Sequence, residues 1–366
     1  MPATLAAWLH NLSPFLVHFS GSFGLRWYGL AYATGFVIAW WWLRWMSLRR
    51  MTPLSPQRVS DAMMLLVLGV VVGGRLGYVI FYDPSLLTEV SSSPPFWGVF
   101  MLNHGGMASH GGMIGVIIAT WFIARGPKDK SGLRTERVPW LHVIDLTAVT
   151  CTAGLMLGRI ANFINGELLG KIVAMPGEPA PWWAVRFPQE RQTGQPLAPV
   201  EHAPPLTPQQ VQDLGKLIDS YKSGPMPDET AYDRIVHTIQ SGGAEAAKAA
   251  HQLEPFLAAR YPSQLMQAAT DGLILGTALW LIWRKPRKPG VVGCWFLILY
   301  GILRVSTEFI RLPDPQLTWL KQQTGLSMGQ WLSVLMTVFG CVALVFVARR
   351  PVEKMGGWAR LESKPA

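Results

Sequence analysis

Apolar residues run along this chain in seven stretches of roughly twenty, the length that carries a helix across a hydrocarbon core. They lie at about 26–46, 61–82, 107–124, 141–163, 264–283, 291–310 and 330–348. Most links between them are short. The exception, 168–262, is rich in Pro, Gln and Ala. Its first part, KIVAMPGEPAPWWAVRFPQE, predicts irregular or extended chain, and the rest predicts two or three short amphipathic helices. Thr207-Pro208-Gln209-Gln210 fits a capping box with proline in the first turn. The expected architecture is an all-α polytopic membrane protein: four helices over 1–167, an insertion over 168–262, three helices over 263–348 and a tail over 349–366. No internal repeat is visible.

The basic residues orient these spans. Arg44, Arg49, Arg50 and Arg58 follow the first span, and Arg125, Lys128, Lys130, Arg134 and Arg137 follow the third. RKPRKP follows the fifth, and Arg349 and Arg350 open the tail. The alternate side has no Lys or Arg before Arg26 and none between Arg75 and Arg125. Short cytoplasmic loops collect Lys and Arg, so the N-terminus and the insertion are expected in the periplasm and the C-terminus in the cytoplasm, across a bacterial inner membrane. The opening MPATLAAWLHNLSPF has no basic start and no clean cleavage site, and is not read as a removed signal peptide.

Composition agrees. Of 366 residues, 50% are apolar and 15% charged, against roughly 25% charged in a soluble domain. Mean hydropathy is +0.24. The 17 Trp, 15 Phe and 15 Met exclude a disordered chain, a disulfide scaffold and an ordinary cytosolic domain. A net charge of +10 would suggest nucleic acid in a soluble protein. Here the cations mark topology, and no nucleic-acid partner is expected. Cys151, Cys294 and Cys341 each sit in apolar sequence and read as core residues without a disulfide framework.

Ionisable groups within spans cost about 2.5–3.5 kcal/mol on insertion scales, so each asks for a reason. Placed by depth at about 1.5 Å per residue, Tyr28, Arg75, His110, Arg159, Asn162, Arg304, Glu308 and Arg311 all fall in the outer half, with Asn165 and Glu167 just beyond. Asp271 lies a third of the way into the fifth span, and Asp145 alone lies near an inner end. Tyr300, Arg304 and Glu308 share one stripe at i, i+4, i+8. The local excess of arginine suits an anionic phosphate, which guanidinium can bind bidentately. Blander readings stand beside these. Arg75 can simply pair with a carbonyl or carboxylate, Arg304 and Glu308 can be a structural ion pair, and Asp271 can be a helix–helix hydrogen bond. His110 can merely orient a loop. His10, His18 and His104 read as interfacial or loop residues, and WWWLRW as an aromatic belt.

Several strings are too specific for composition to explain: GRIANFINGELLG at 158–170, HGGMASHGG at 104–112, YGILRVSTEFIRLPD at 300–314, RWYGLAY at 26–32 and GGRLGYV at 73–79. Together they resemble the bacterial prolipoprotein diacylglyceryl transferases over most of the chain except about 172–260. The resemblance implies transfer of the diacylglyceryl group of phosphatidylglycerol to the lipobox cysteine thiol of a preprolipoprotein. A thioether forms and glycerol-1-phosphate leaves, with no metal or other cofactor. It implies Arg159 and Arg304 as catalytic residues, with Arg159 on the headgroup and Arg304 on the leaving phosphate; the need to deprotonate a thiol adds His110 as general base, beside the alternative that the arginines lower the thiol pKa. It also carries Tyr28, Asn162, Glu167, Gly170, Tyr300 and Glu308 onto substrate-binding positions, and Arg75 joins them as a buried cation. Glu167 and Glu308 are expected to orient the arginines.

The residues suit that chemistry. The nucleophile belongs to the substrate, imidazole can take a thiol proton near neutral pH, and fixed guanidiniums can stabilise a leaving phosphate. Membrane lipids are the surroundings, and a lateral gap between helices is the natural entry for a two-tailed lipid. Two departures stand out. Relatives usually read HPSQLYE where this chain reads YPSQLMQ at 261–267, so Met266 and Gln267 replace Tyr and Glu. The segment from about 200 to 255 is also longer than in most relatives. Two other classes compete: an anion transporter, which needs polar groups along a whole path, and a lipid-binding scaffold without chemistry, which needs neither His110 nor Asn162.

Overall fold

The computed structural model describes residues 7–20, 23–92, 96–100, 106–192, 203–312 and 323–358. His104 and the end of the third motif, 313–314, lie outside them. The chain is mainly helical. Long helices are α1 (Trp27–Leu48), α2 (Pro56–Phe81), α3 (Ser109–Arg125), the consecutive α4 (Trp140–Thr150) and α5 (Thr152–Asn165), and, beyond the insertion, Ser263–Trp283, Val291–Glu308 and Met328–Arg349. Helix thus occupies each predicted stretch. Among the described residues, four helices are long and apolar enough to cross a membrane: α2, Ser263–Trp283, Val291–Glu308 and Met328–Arg349. The pair α4 and α5, bent by 40°, makes a fifth if counted as one span. α3 has 17 residues, about 26 Å of helix.

The insertion contributes α6 (Pro208–Ser220), α7 (Asp228–Ser241) and α8 (Gly243–Leu253). α6 starts with the predicted capping box: the Gln210 amide donates to Thr207 Oγ1 at 3.3 Å and the Thr207 amide to Gln210 Oε1 at 2.9 Å. The Ser263–Trp283 helix comprises α9 (Ser263–Gln267), a π-helical turn over Ala268–Ile274 and α10 (Leu275–Trp283). Val291–Glu308 is α11 and Met328–Arg349 is α12.

The chain divides into two compact units. One comprises 35–153, 276–298 and 338–366. In it, α2 and α3 pack backbone to backbone through small residues. A Cβ on Gly73 would lie 2.4 Å from the Gly111 carbonyl oxygen, and one on Gly115 would collide with Gly69. This is the small-residue packing of membrane helices, and it accounts for one glycine of HGGMASHGG. Beside this seam α2 exposes Met64, Leu68, Val72, Leu76 and Ile80 at every fourth position, an apolar stripe that water does not favour. Asp145 accepts the Gly290 and Gly293 amides at 2.7 Å each and so caps the start of α11 from a neighbouring helix. The cysteines are unpaired, and Cys341 corrects the expectation of a core residue, being exposed on α12. In a helix apolar all round, sequence does not separate a core face from a lipid face.

The other unit comprises 1–34, 154–275 and 299–337. A four-stranded sheet joins β1 (Trp8–Leu9), β5 (Val185–Arg186), β6 (Ala259–Arg260) and β4 (Ile172–Ala174), in that order. β1 runs parallel to β5, and the remaining pairs are antiparallel. β2 (Phe15–Ser20) and β3 (Phe23–Arg26) form a hairpin leading into α1. Helices α6 to α8 bury Tyr232, Ile235, Ile239, Leu253 and Leu257 in one cluster. Beneath it Glu190 and Arg260, both fully buried, pair at 2.7 Å. Glu190 also accepts the Ala258 amide at 2.9 Å and Arg260 donates to the Gly170 carbonyl at 3.1 Å, so this ion pair is also hydrogen-bonded on both sides.

Candidate functional site

Two loops that end membrane helices are sewn together. The loop after α5 and the loop after α11 meet in an antiparallel bridge between Gly170 and Arg311. The Lys171 amide donates to the Ile310 carbonyl at 2.9 Å and the Leu312 amide to the Leu169 carbonyl at 3.1 Å. Gly170 is required by space: a Cβ there would lie 2.2 Å from the Tyr261 carbonyl oxygen. Just before it Leu168 holds a left-handed φ of 56°, a conformation that costs a leucine energy and needs surrounding contacts to persist. Those contacts come from α9, where Ser263 Oγ donates to the Leu168 carbonyl at 3.0 Å and Gln264 Nε2 to that of Glu167.

This frame holds the expected arginines in one cluster. Arg159 on α5 donates through Nε to Asp271 Oδ2 at 3.3 Å. Arg304 on α11 donates through Nη1 to Gln267 Oε1 at 3.2 Å and pairs through Nη2 with Glu308 Oε2 at 3.3 Å. Arg311 reaches the same Glu308 oxygen at 3.5 Å, and Ser327 donates to the other at 3.1 Å. Arg159 and Arg304 lie within electrostatic reach of each other, as do Tyr300 and Arg304, and Asp271 feels both arginines. Among the described residues, three guanidiniums thus face two carboxylates. Asp271 and Glu308 are buried, while Arg159 keeps 20% of its side chain accessible. Among the described residues its two Nη groups have no hydrogen-bond partner.

A second group lies beside the α5 end. Glu167 accepts from Asn162 Nδ2 at 3.2 Å and from Asn165 Nδ2 at 3.1 Å. Tyr28, on the first turn of α1, neighbours Tyr32, Asn162 and Glu167, and Arg26 acts on Glu167 electrostatically. The Glu167 carboxylate therefore takes its hydrogen bonds from asparagines, so of the two glutamates expected to orient the arginines it is Glu308 that pairs with Arg304 and Arg311. His10, outside the spans, closes this end. Its Nε2 donates to the Phe163 carbonyl at 2.8 Å and Nδ1 accepts from Gln189 Nε2 at 3.2 Å. Burial pushes its pKa down from 6.5 to about 4, so at neutral pH the ring is uncharged.

His110 and Arg75 belong to the other unit. His110 is exposed on the first turn of α3. Arg75 is buried and donates to three carbonyls: Val99 at 2.7 Å, Gly98 at 2.6 Å and Gly106 at 3.0 Å. The Ala108 amide donates to the Gly74 carbonyl at 2.9 Å. Arg75 and its neighbours on α2 thus secure the backbone leading into His110.

Asp271 makes the helix–helix hydrogen bond that its sequence suggests, with Arg159 as the partner, and Gln267, where a carboxylate is lost, still accepts from Arg304. The signal for the pair was their i, i+4 spacing on one helix face. Among the described residues no group of His, Cys, Asp and Glu is arranged to hold a metal ion.

The family model described as prolipoprotein diacylglyceryl transferase matches residues 14–346. The chain belongs to that family. It is 39% identical to the phosphatidylglycerol–prolipoprotein diacylglyceryl transferase of Bdellovibrio bacteriovorus, over 96% of this chain and 97% of the relative. The enzymes of the same name from Ruegeria pomeroyi and Rhodospirillum rubrum are 36% and 35% identical, each match covering more than nine-tenths of both chains. The matched residues 14–346 span both the arginine cluster and the insertion.

Proposed function

We infer that this chain transfers the diacylglyceryl group of phosphatidylglycerol to the cysteine thiol of a prolipoprotein. It is a membrane transferase of lipoprotein biosynthesis, working in the bacterial inner membrane with its site toward the periplasm. Seven spans, N-terminus outside, are the topology that supports this reading, because the Lys and Arg clusters then lie in cytoplasmic links. The insertion over 168–262 is periplasmic in that arrangement.

The reaction breaks the bond between the glycerol carbon of the diacylglyceryl group and its phosphate oxygen, and forms a carbon–sulfur bond to the substrate cysteine. The thiol gives up its proton, and His110 is the assigned base. The leaving glycerol-1-phosphate takes the bonding electron pair. A singly charged phosphodiester becomes a doubly charged phosphomonoester, so negative charge grows on the phosphate in the transition state. Guanidiniums fixed beside that phosphate then bind the transition state more strongly than the substrate. The observation that carries the reading is the Arg159 fork: Nε is anchored on Asp271, and among the described residues both Nη groups are without a hydrogen-bond partner that would compete with a phosphate. Arg304, held by Gln267 and Glu308, supplies charge to the leaving oxygen. Tyr28, Asn162 and Glu167 form the polar wall for headgroup or peptide, and Gly170 and Tyr300 shape it.

The test is purified protein in phosphatidylglycerol micelles with a lipobox peptide. The peptide gains the mass of a diacylglyceryl group as glycerol phosphate appears in equal amount, and a Cys-to-Ser peptide stays unmodified, an alcohol being the weaker nucleophile. Release of glycerol phosphate without the peptide thiol contradicts transfer and marks a hydrolase.

A further inference from the structure

Arg159 and Arg304 sit on different helices, α5 and α11, and a third element touches both. Gln267 ends α9 and Asp271 lies four residues on, in the π-helical turn. Both side chains are buried, at 0% and 1% exposure. Gln267 accepts from Arg304 and Asp271 from Arg159. In the π turn this helix comes close to α5, since a Cβ on Gly272 would lie 2.3 Å from Met156 Cβ, one turn before Arg159. Single π turns inside α-helices recur at functional sites. The two contacts differ in kind. Asp271 is ionic and engages Nε, the guanidinium nitrogen that a bidentate phosphate contact through the Nη pair leaves free. Gln267 is neutral and leaves Arg304 its charge.

We propose that Asp271 is a positioning residue for the transfer, holding the Arg159 guanidinium by its Nε so that its Nη fork faces the substrate phosphate, with Gln267 as the neutral counterpart for Arg304. This rests on the assignment of Arg159 to the phosphate. One helix then fixes the spacing of two cations that would otherwise repel, and the carboxylate must stand at 271. A carboxylate at 267 sits against the other arginine and does not replace it.

Activity is measured per folded protein for Arg159→Ala, Asp271→Asn and the double variant Gln267→Glu with Asp271→Asn. The double variant keeps the number of buried carboxylates and the net charge of the cluster, and decides the matter if Asp271→Asn does not fold. In Asp271→Asn, kcat falls about 10–100-fold, the usual cost of losing a residue that orients a ligating group. KM for phosphatidylglycerol moves less than about threefold, because the lost interaction acts mainly in the transition state. The double variant folds and stays as slow. Wild-type kcat in Asp271→Asn, or recovery in the double variant, overturns the proposal, and recovery would mean that the site needs only a carboxylate count. Full activity in Arg159→Ala instead overturns the phosphate assignment itself, which separates the two failures.

Discussion

Gly170 and Arg311 face each other in an antiparallel bridge that joins the loops ending α5 and α11. The two helices carrying Arg159 and Arg304 therefore end in a shared frame, and the geometry of the cluster depends on backbone as much as on its charges. The Glu190–Arg260 pair supports the same frame through the Gly170 carbonyl.

Gly170→Ala tests that dependence. Its Cβ would meet the Tyr261 carbonyl oxygen at 2.2 Å, and backbone on the far side cannot swing away. The variant is expected to lose about 1–3 kcal/mol of stability together with activity. Thermal unfolding in detergent checks it. Gly158→Ala is the control, since a Cβ there meets no atom within 4 Å. An unchanged midpoint for Gly170→Ala would contradict the frame.

Arg75 is expected to act through the segment before His110. Arg75→Lys places one ammonium where a planar fork serves three carbonyls, and leaving such buried acceptors unpaired costs about 1–3 kcal/mol each. Hydrogen exchange of the peptide covering 106–112 should rise and kcat should fall with it. Unaltered exchange there would show that Arg75 does not hold this segment.

His10 predicts a pH dependence of stability. Its folded pKa, about 4, lies below the unfolded 6.5, so between those values the unfolded chain binds more protons and stability falls as pH falls. The slope is at most about 1.4 kcal/mol per pH unit, and the effect is complete below pH 4. Unfolding followed from pH 7 to pH 4 should show this loss, and His10→Gln should flatten it. Equal slopes in the two proteins would remove His10 as the cause.

The sequence displayed the helices well, because runs of apolar residues set by bilayer thickness need no partner to be read. Charge depth likewise put Arg159, Arg304 and Glu308 in one layer. What it hid were partners. Periodicity gives the face on which Asp271 lies but does not say that Arg159 stands opposite. The carbonyls that hold Arg75 have no signature in side-chain identity. The π turn, the short sheet under the head and the outward face of Cys341 escaped for the same reason: each depends on what packs against it. The departure at Gln267 was visible, but its consequence was not, since an amide oxygen there still receives Arg304.

The central claim is that the Arg159 and Arg304 guanidiniums together stabilise the departing phosphate. Its most direct measurement is the rate of glycerol phosphate release from phosphatidylglycerol with saturating lipobox peptide, for wild type, Arg159→Ala and Arg304→Ala, at equal amounts of folded protein. Each variant should be slower by about a hundredfold or more per folded molecule. Release at the wild-type rate in either folded variant would contradict the account.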